Sequence, residues 1–403
     1  VARSDDGMIR ICEPEIGDAE RKYVLEALDE VELSGHGRHV ALFEKRLAEY
    51  IGVNHAVLVP NGTIALHLSL AAMGIGPGDY VVLPSQTIAV CLFSVIQQGA
   101  IPIIIDVDPD TWVMGTELSR AMDWIQDDAK GAQGKKCVFM PVHIFAGIPC
   151  DMNYIRAAQQ ALSDGVPLVD VRVLEDCSEA FGSLYNVRNS KDPRWCRVGS
   201  IGDAGTFSFF ANKTVACGEG GAITTDSDIL NQQLRYKRNC AYGKDPVMKF
   251  LADDLGFNYR PSNFIACMGL GQLDHVDQLC QRRLELNHWY KQMLSAEFTV
   301  QQVPGNCDPV PWMTAILVPR KHGVSQRDHL MQYLSENGIE TRPTFPPLGD
   351  HGLIKKLNIF TVNLGETVSR RIWEDGVILP SGGSHLTLSR INYICDTVNA
   401  FLR

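Results

Sequence analysis

The sequence predicts an α/β fold: a mainly parallel sheet in a large domain, followed by a smaller C-terminal α/β domain. Three observations carry this. Short apolar, β-branched runs alternate with helical stretches over most of the first 225 residues, the pattern of crossover units on a parallel sheet. A chain of 403 residues exceeds what one simple core usually holds. Beyond a long helical stretch, a strand and a helix recur towards the C-terminal end.

In chain order, Ala56 to Pro60, Tyr80 to Pro84, Ile101 to Val107, Cys137 to His143 and Val171 to Glu175 read as strands, being apolar and of strand length. Between them Thr63 to Met73, Thr87 to Gln98, Glu117 to Gln126 and Met152 to Leu162 carry helical spacing. Two short strands follow, Gly205 to Phe210 and Gly221 to Thr225, then a helix over Asp226 to Arg238. A long helical stretch from Phe264 to Glu297 leads into the second domain, with a strand at Met313 to Val318 and a helix at Gln326 to Asn337. Polar, Gly/Lys-rich Asp127 to Lys136 and Asn186 to Arg197 read as surface loops. The resulting division is an N-terminal segment 1–16, a large domain 17–260, and a linking helix with the small domain over 261–403, with Met8 read as a native start.

Composition narrows the function classes. With 37 basic against 47 acidic residues the net charge is −10, which repels nucleic acid and anionic lipid over most of the surface. Apolar runs such as Ile101 to Val107 stop well short of the ~20 residues that span a membrane. Twelve cysteines stand at irregular spacings without a CxxC pair, so reduced thiols in the cytoplasm and no structural metal are expected.

Ligands collect at the carboxyl ends of strands in an open parallel sheet. Three such positions stand out. Pro60-Asn61-Gly62-Thr63 turns a strand directly into a helix, which serves either an anion, through unpaired N–H groups, or simply an N-cap. Glu175-Asp176-Cys177-Ser178-Glu179 ends another strand with carboxylates that need a cation or donor, unless Asp176 and Glu179 form a capping box. Lys213 follows the aromatic strand Thr206 to Phe210 and precedes the glycine-rich Gly218 to Gly221; burial would make its amine nucleophilic, whereas exposure would leave it an ordinary solvated lysine. Together a phosphate cradle, a carboxylate for a pyridinium nitrogen and an imine-forming amine are the parts that pyridoxal phosphate demands. A nucleotide-binding protein would instead want GxGxxG or GxxxxGK[ST] at a strand end, and neither is present.

From about Met8 onward the chain resembles the DegT/DnrJ/EryC1 family of nucleotide-sugar aminotransferases, fold type I pyridoxal phosphate enzymes. The resemblance rests on Asn61-Gly62-Thr63, Gly74 to Asp79, Asp106-Val107-Asp108 with Thr111-Trp112, and Val142-His143. It continues through Glu175 to Gly182, Gly199 to Asp203, Phe207 to Phe210, Lys213, Gly218 to Gly221 and Gly256 to Arg260. It implies that Lys213 holds pyridoxal 5'-phosphate covalently and moves a proton between substrate and cofactor, while Asp176 keeps the ring nitrogen protonated. It further implies Gly62, Thr63 and Ser208 at the phosphate, Glu179 near the ring hydroxyl, and Asn258 reaching the phosphate of a neighbouring subunit in a homodimer with shared sites. Substrate contacts would come from His143, Arg260, Thr341 and Arg342, unless Arg260 or Arg342 is a surface or structural arginine and His143 a satisfied core histidine.

The implied reaction takes an amino group from L-glutamate and passes it to C4 of a 4-keto-6-deoxy nucleotide sugar. Glu175 to Gly182, the Ser208 to Lys213 segment and Ile339 to Pro343 most resemble the members that convert GDP-4-keto-6-deoxymannose to GDP-perosamine. A UDP- or dTDP-linked 4-keto sugar, amination at C3, and a cofactor-binding regulator stand as alternatives; a dehydratase of this family would carry histidine in place of Lys213. The chain departs from the family at Ile88, where an aromatic residue usually stacks on the ring, in a longer loop over Ile144 to Cys150, and in Pro346 to His351, where a histidine is displaced.

Overall fold

The structure is a computed structural model that describes residues 7–128, 134–166, 170–189, 192–243 and 250–403. Its main sheet has eight strands: β1 (His55–Val59), β2 (Tyr80–Pro84), β3 (Ile101–Ile105), β4 (Lys136–Phe139), β5 (Asp170–Asp176), β8 (Ala204–Ser208), β9 (Gly221–Thr225) and β14 (Val362–Asn363). Between them in sequence, β6 (Leu184–Asn189) and β7 (Asp192–Arg197) pair as a hairpin, extended by β11 (Cys307–Asp308). A separate four-stranded sheet orders β10 (Thr299–Val300), β12 (Thr314–Leu317), β15 (Gly376–Leu379) and β13 (Arg342–Pro343).

The main sheet runs in the order β1-β9-β8-β5-β4-β2-β3-β14, with β9 antiparallel to both of its neighbours and the other pairs parallel. Alternation along β2 shows how its two faces are used. Tyr80 and Val82 pack with Trp112, Ile125 and Ile155, whereas Val81 and Leu83 pack with Leu66, Leu92 and Val95 on the opposite face. A third cluster joins the helices Arg38–Ile51 and Asn263–Asp274 through Phe43, Leu47, Ala266 and Leu270. The second sheet has its own core, in which Ile316, Val377 and Leu379 meet Tyr290, Leu330 and Ile391.

Several expected elements differ, each for a local reason. The strand expected over Cys137 to His143 ends at Phe139, since Pro141 has no N–H to donate, and the chain continues through single bonds from His143 N to Asp176 O and from Asp176 N to Pro141 O. The helix expected from Thr87 starts only at Val90, so 85–89 remain unwound. The long stretch Phe264 to Glu297 is two helices, Asn263–Asp274 and Val276–Met293, broken at His275. The described residues of Asn186 to Arg197 are not a loop but most of the β6–β7 hairpin, with 190–191 outside the described residues. Of the loop expected over Asp127 to Lys136, residues 129–133 lie outside the described residues, as do 1–6 of the N-terminal segment. That segment bridges to the second sheet's surroundings, Ile9 to Ile339 and Cys12 to Gly382, while β14 returns from the C-terminal part to the main sheet.

One buried carboxylate fixes β1, the strand whose end opens the site. Glu44 accepts from Leu58 N (2.9 Å), Arg238 Nη1 (2.7 Å) and Arg235 Nη1 (2.8 Å), and the two arginines also donate to Leu58 O and Ala56 O. Burial depresses the Arg238 guanidinium, and Glu44 opposes that shift. Glu44→Ala leaves Arg238 buried without its carboxylate and is expected to cost about 3 kcal/mol of unfolding free energy. Urea unfolding with a midpoint equal to wild type would refute it.

Candidate active site

Asn61 caps the helix Gly62–Ala72: its side-chain oxygen accepts from Ile64 N at 2.9 Å and its carbonyl from Ala65 N at 3.1 Å. The N–H groups of Gly62 and Thr63 have no intrahelical acceptor and lie at the positive end of the helix dipole. Gly62 is required by close approach, because a Cβ there would stand 2.9 Å from Cβ of Ser208 at the end of β8. The turn is thus both an N-cap and an opening for an anion.

Asp176 ends β5 and is buried. No helix follows it, which removes the capping-box alternative: Oδ1 accepts from Ser178 N at 3.0 Å in a local turn, and Oδ2 accepts from the Cys91 thiol at 3.3 Å. Glu179 accepts instead from Phe145 N at 2.9 Å. Lys213 sits in a loop closed by Lys213 N to Phe210 O and Ala211 N to Gly218 O. Its Nζ lies 3.5 Å from Glu179 Oε1 and 3.8 Å from the centroid of the Trp312 ring. Burial holds the Lys213 ammonium below its usual range, against the pull of Glu179 and Asp176. Burial likewise pushes the Glu179 carboxyl up to about 7, with Lys213 opposing.

These groups line one cavity of about 400 Å³, within the ~300–1,000 Å³ of small-molecule sites. Of the residues singled out from sequence, Gly62, Thr63, Ile88, Asp176, Glu179, Ser208, Lys213 and Arg342 line it. Four do not. His143 is fully buried, its Nδ1 accepting from Cys150 N at 3.1 Å and its Nε2 3.2 Å from Glu175 Oε2, so the expected substrate contact is corrected to a core pair. Arg260 donates to Asn239 Oδ1 at 2.5 Å and does not line this chain's cavity. Thr341 precedes Arg342 without lining the cavity, and Asn258 lies at a bridge to Asn239.

Sequence reasoning missed Trp312, Phe345 and Asn212, all of which line the cavity. The first two come from the C-terminal part of the chain, and only Asn212, beside Lys213, carried a local signal. A larger groove of about 790 Å³ lies between the second sheet and the helix Thr367–Asp375, but its Arg320 and Arg370 are already paired with Glu374, Asp375 and Asp350. His143, Glu175 and Cys177 bring potential metal ligands within 4.8 Å of one another, yet Glu175 is spent on His143 and on the N–H groups of Gly199, Ile201 and Gly202.

An α/β chain that presents a desolvated amine to two carboxylates, beside an unpaired helix N-terminus, is built to hold an aldehyde cofactor with an anionic tail. This chain belongs to the DegT/DnrJ/EryC1/StrS aminotransferase family, which it matches over residues 14–399. It is 38% identical over 401 residues to GDP-perosamine synthase of Caulobacter vibrioides, covering 98% of this chain and 99% of that one. It is 33% identical over 398 residues to GDP-perosamine synthase of Vibrio cholerae, covering 98% and 99%. A DegT/DnrJ/EryC1/StrS aminotransferase structure from Brucella abortus superposes with a TM-score of 0.83 at 25% identity, covering 95% of each chain. A sugar aminotransferase structure from Micromonospora echinospora gives 0.80 at 24% identity, covering 98% and 100%.

The protein is therefore a fold type I aminotransferase dependent on pyridoxal phosphate. The cavity fits that group on its own terms, with open N–H groups and a glycine cradle for the phosphate, a buried carboxylate for the ring nitrogen, and an amine at 3.5 Å from a second carboxylate.

Glu179 generates a pH prediction. Its folded-state proton affinity is raised towards pH 7 from an ordinary value of 4.5, so the folded chain binds more protons than the unfolded chain between those values. The stabilisation is full below about 4.5 and is lost as pH rises through about 7. In the cofactor-free protein, Glu179→Gln should flatten the stability profile across that window, measured as melting temperature against pH. Superimposable profiles would show that Glu179 does not titrate there.

Proposed function

We propose that this protein transfers the amino group of L-glutamate to C4 of GDP-4-keto-6-deoxymannose, yielding GDP-perosamine. The observation that carries the reading is the near full-length identity to two GDP-perosamine synthases, in a chain whose Lys213 faces Asp176 and Glu179. When bound, pyridoxal phosphate supplies an aldehyde that carries the amino group and a ring that accepts an electron pair from the substrate carbon.

The chain's residues do the rest. Gly62 and Thr63 N–H groups and the Ser208 hydroxyl anchor the phosphate. Asp176, held by Ser178 N and Cys91, keeps a proton at the ring nitrogen. Lys213 would hold the aldehyde carbon, and its amine, once free, would take and return the proton of the substrate carbon. Glu179 would stand near the ring hydroxyl. Arg342, half exposed, 3.6 Å from Glu340 Oε1 and, unlike Arg320 and Arg370, lining the cavity of Lys213, is the cation for the diphosphate of an anionic substrate in an acidic protein. Asn258 lies off its own cavity and serves the phosphate of a second subunit, so the proposal includes a homodimer. A cytoplasmic location belongs to the same reading and is supported by the free thiols of all twelve cysteines. No helix among the described residues is long and apolar enough to cross a membrane.

The purified protein should be yellow, and L-glutamate should bleach it. Lys213→Ala should be colourless, with transfer lowered by at least about 10²-fold. The bleached enzyme should regain colour with the GDP-linked 4-keto sugar and not with UDP- or dTDP-linked ones, and the product should carry nitrogen at C4 by NMR. Recovery with none of them, while cofactor stays bound, would favour a regulator, and elution as a monomer would remove the shared site.

A further inference from the structure

Arg283 lies in the helix Val276–Met293, is buried, and pairs with no carboxylate among the described residues. Its guanidinium is spent on main-chain oxygens from three separate segments. Nη1 donates to Trp312 O (2.7 Å) and Ser381 O (2.8 Å), and Nη2 donates to Asn212 O (3.0 Å) with Cys12 Sγ at 3.6 Å. Asn212 O is the focus of this arrangement, for Trp312 Nε1 also donates to it at 2.9 Å. Gly382 leaves room for the fork: a Cβ there would stand 2.4 Å from Arg283 Nη1 and 2.5 Å from Cys12 Sγ. An unpaired cation is costly to bury, so a satisfied fork on carbonyls is a demanding arrangement to build.

Asn212 immediately precedes Lys213, and Trp312 supplies the ring over which the lysine nitrogen lies. We propose that Arg283 is a positioning residue of the transamination, fixing the Asn212 carbonyl and the Trp312 main chain so that the Lys213 amine enters the cavity in its reactive direction. The proposal rests on Lys213 being the amine that carries the cofactor. A cation held behind the loop also disfavours a second positive charge on the lysine side, in the same sense as burial. Glu179 and Asp176 face that amine and act in the opposite sense, and Glu219 and Arg342 line the same cavity.

The test uses purified holoenzyme and two variants. Arg283→Gln removes the charge, and the pH at which the bound cofactor's yellow fades should rise by about one unit, which loss of packing alone would not produce. Arg283→Lys keeps the charge but cannot reach three carbonyls in fork geometry; its fading pH should stay near wild type while single-turnover bleaching by L-glutamate slows about tenfold. A wild-type fading pH in R283Q, or a wild-type bleaching rate in R283K, overturns the proposal. Should R283Q prove insoluble, Gly382→Ala, which crowds the guanidinium without removing it, decides through bleaching: a rate at least fivefold slower supports the clamp and a wild-type rate overturns it. Failure of the wild-type protein to bleach at all would sink the function proposed above rather than the clamp.

Discussion

Holding an amine out of water opposite two carboxylates is the constraint to which the surrounding structure answers. In a low-dielectric cavity each of these groups is costly alone, and each has its own partner. Asp176 has the Ser178 N–H and the Cys91 thiol, Glu179 has the Phe145 N–H, and Lys213 has the face of Trp312. Arg283 adds a second buried cation behind the Lys213 loop, on the Asn212 carbonyl. Parallel strands make this affordable in geometry, since β5 and β8 end side by side, paired through Asp176 and Thr206, and deliver Asp176 and Ser208 to the same edge.

How far the sequence made this legible depended on how local each part is. The crossover strands were readable because buried parallel strands are continuous apolar runs, and Asn61-Gly62-Thr63 was readable because a strand ran straight into a helix. Asp176 and Glu179 were readable as chemistry or as a cap, and only the absence of a following helix decides between them. The helix Arg38–Ile51 passed unnoticed although Val40, Phe43, Leu47 and Ile51 recur at helical spacing. The β6–β7 hairpin was hidden by polar, Arg- and Asn-rich strands that lack the apolar alternation of a half-buried sheet.

Trp312, Phe345 and Arg283 were illegible for a different reason. Each earns its place from tertiary contact: Arg283 sits in a helix whose spacing marks it only as one more charged position, and its three acceptors are main-chain oxygens that no side-chain motif encodes. His143 shows the converse. Its dipeptide with Val142 carried a signal, but the signal reports the second tier of the site. His143 and Glu175 bond each other, Glu175 gathers three N–H groups from 199–202, and His143 N donates to Asp176 O. The pair holds the backbone of Asp176 rather than touching a ligand.

The same division between near and distant parts bears on Ile88, where the resemblance called for an aromatic ring. Residues 85–89 stay unwound at the end of β2, which places Thr87 and Ile88 on the cavity wall, and Ile88 is 43% exposed at that wall. Aromatic surface enters the cavity elsewhere, from Phe345 and Trp312. Phe345 is stacked at 5.4 Å on Phe145, whose own N–H is the one that holds Glu179. Gln86 donates to Phe345 O at 3.2 Å, so the unwound segment is tied to the chain just beyond β13. Phe345 is therefore fixed from the unwound segment and from Phe145 at once, and it lines the same cavity as Arg342.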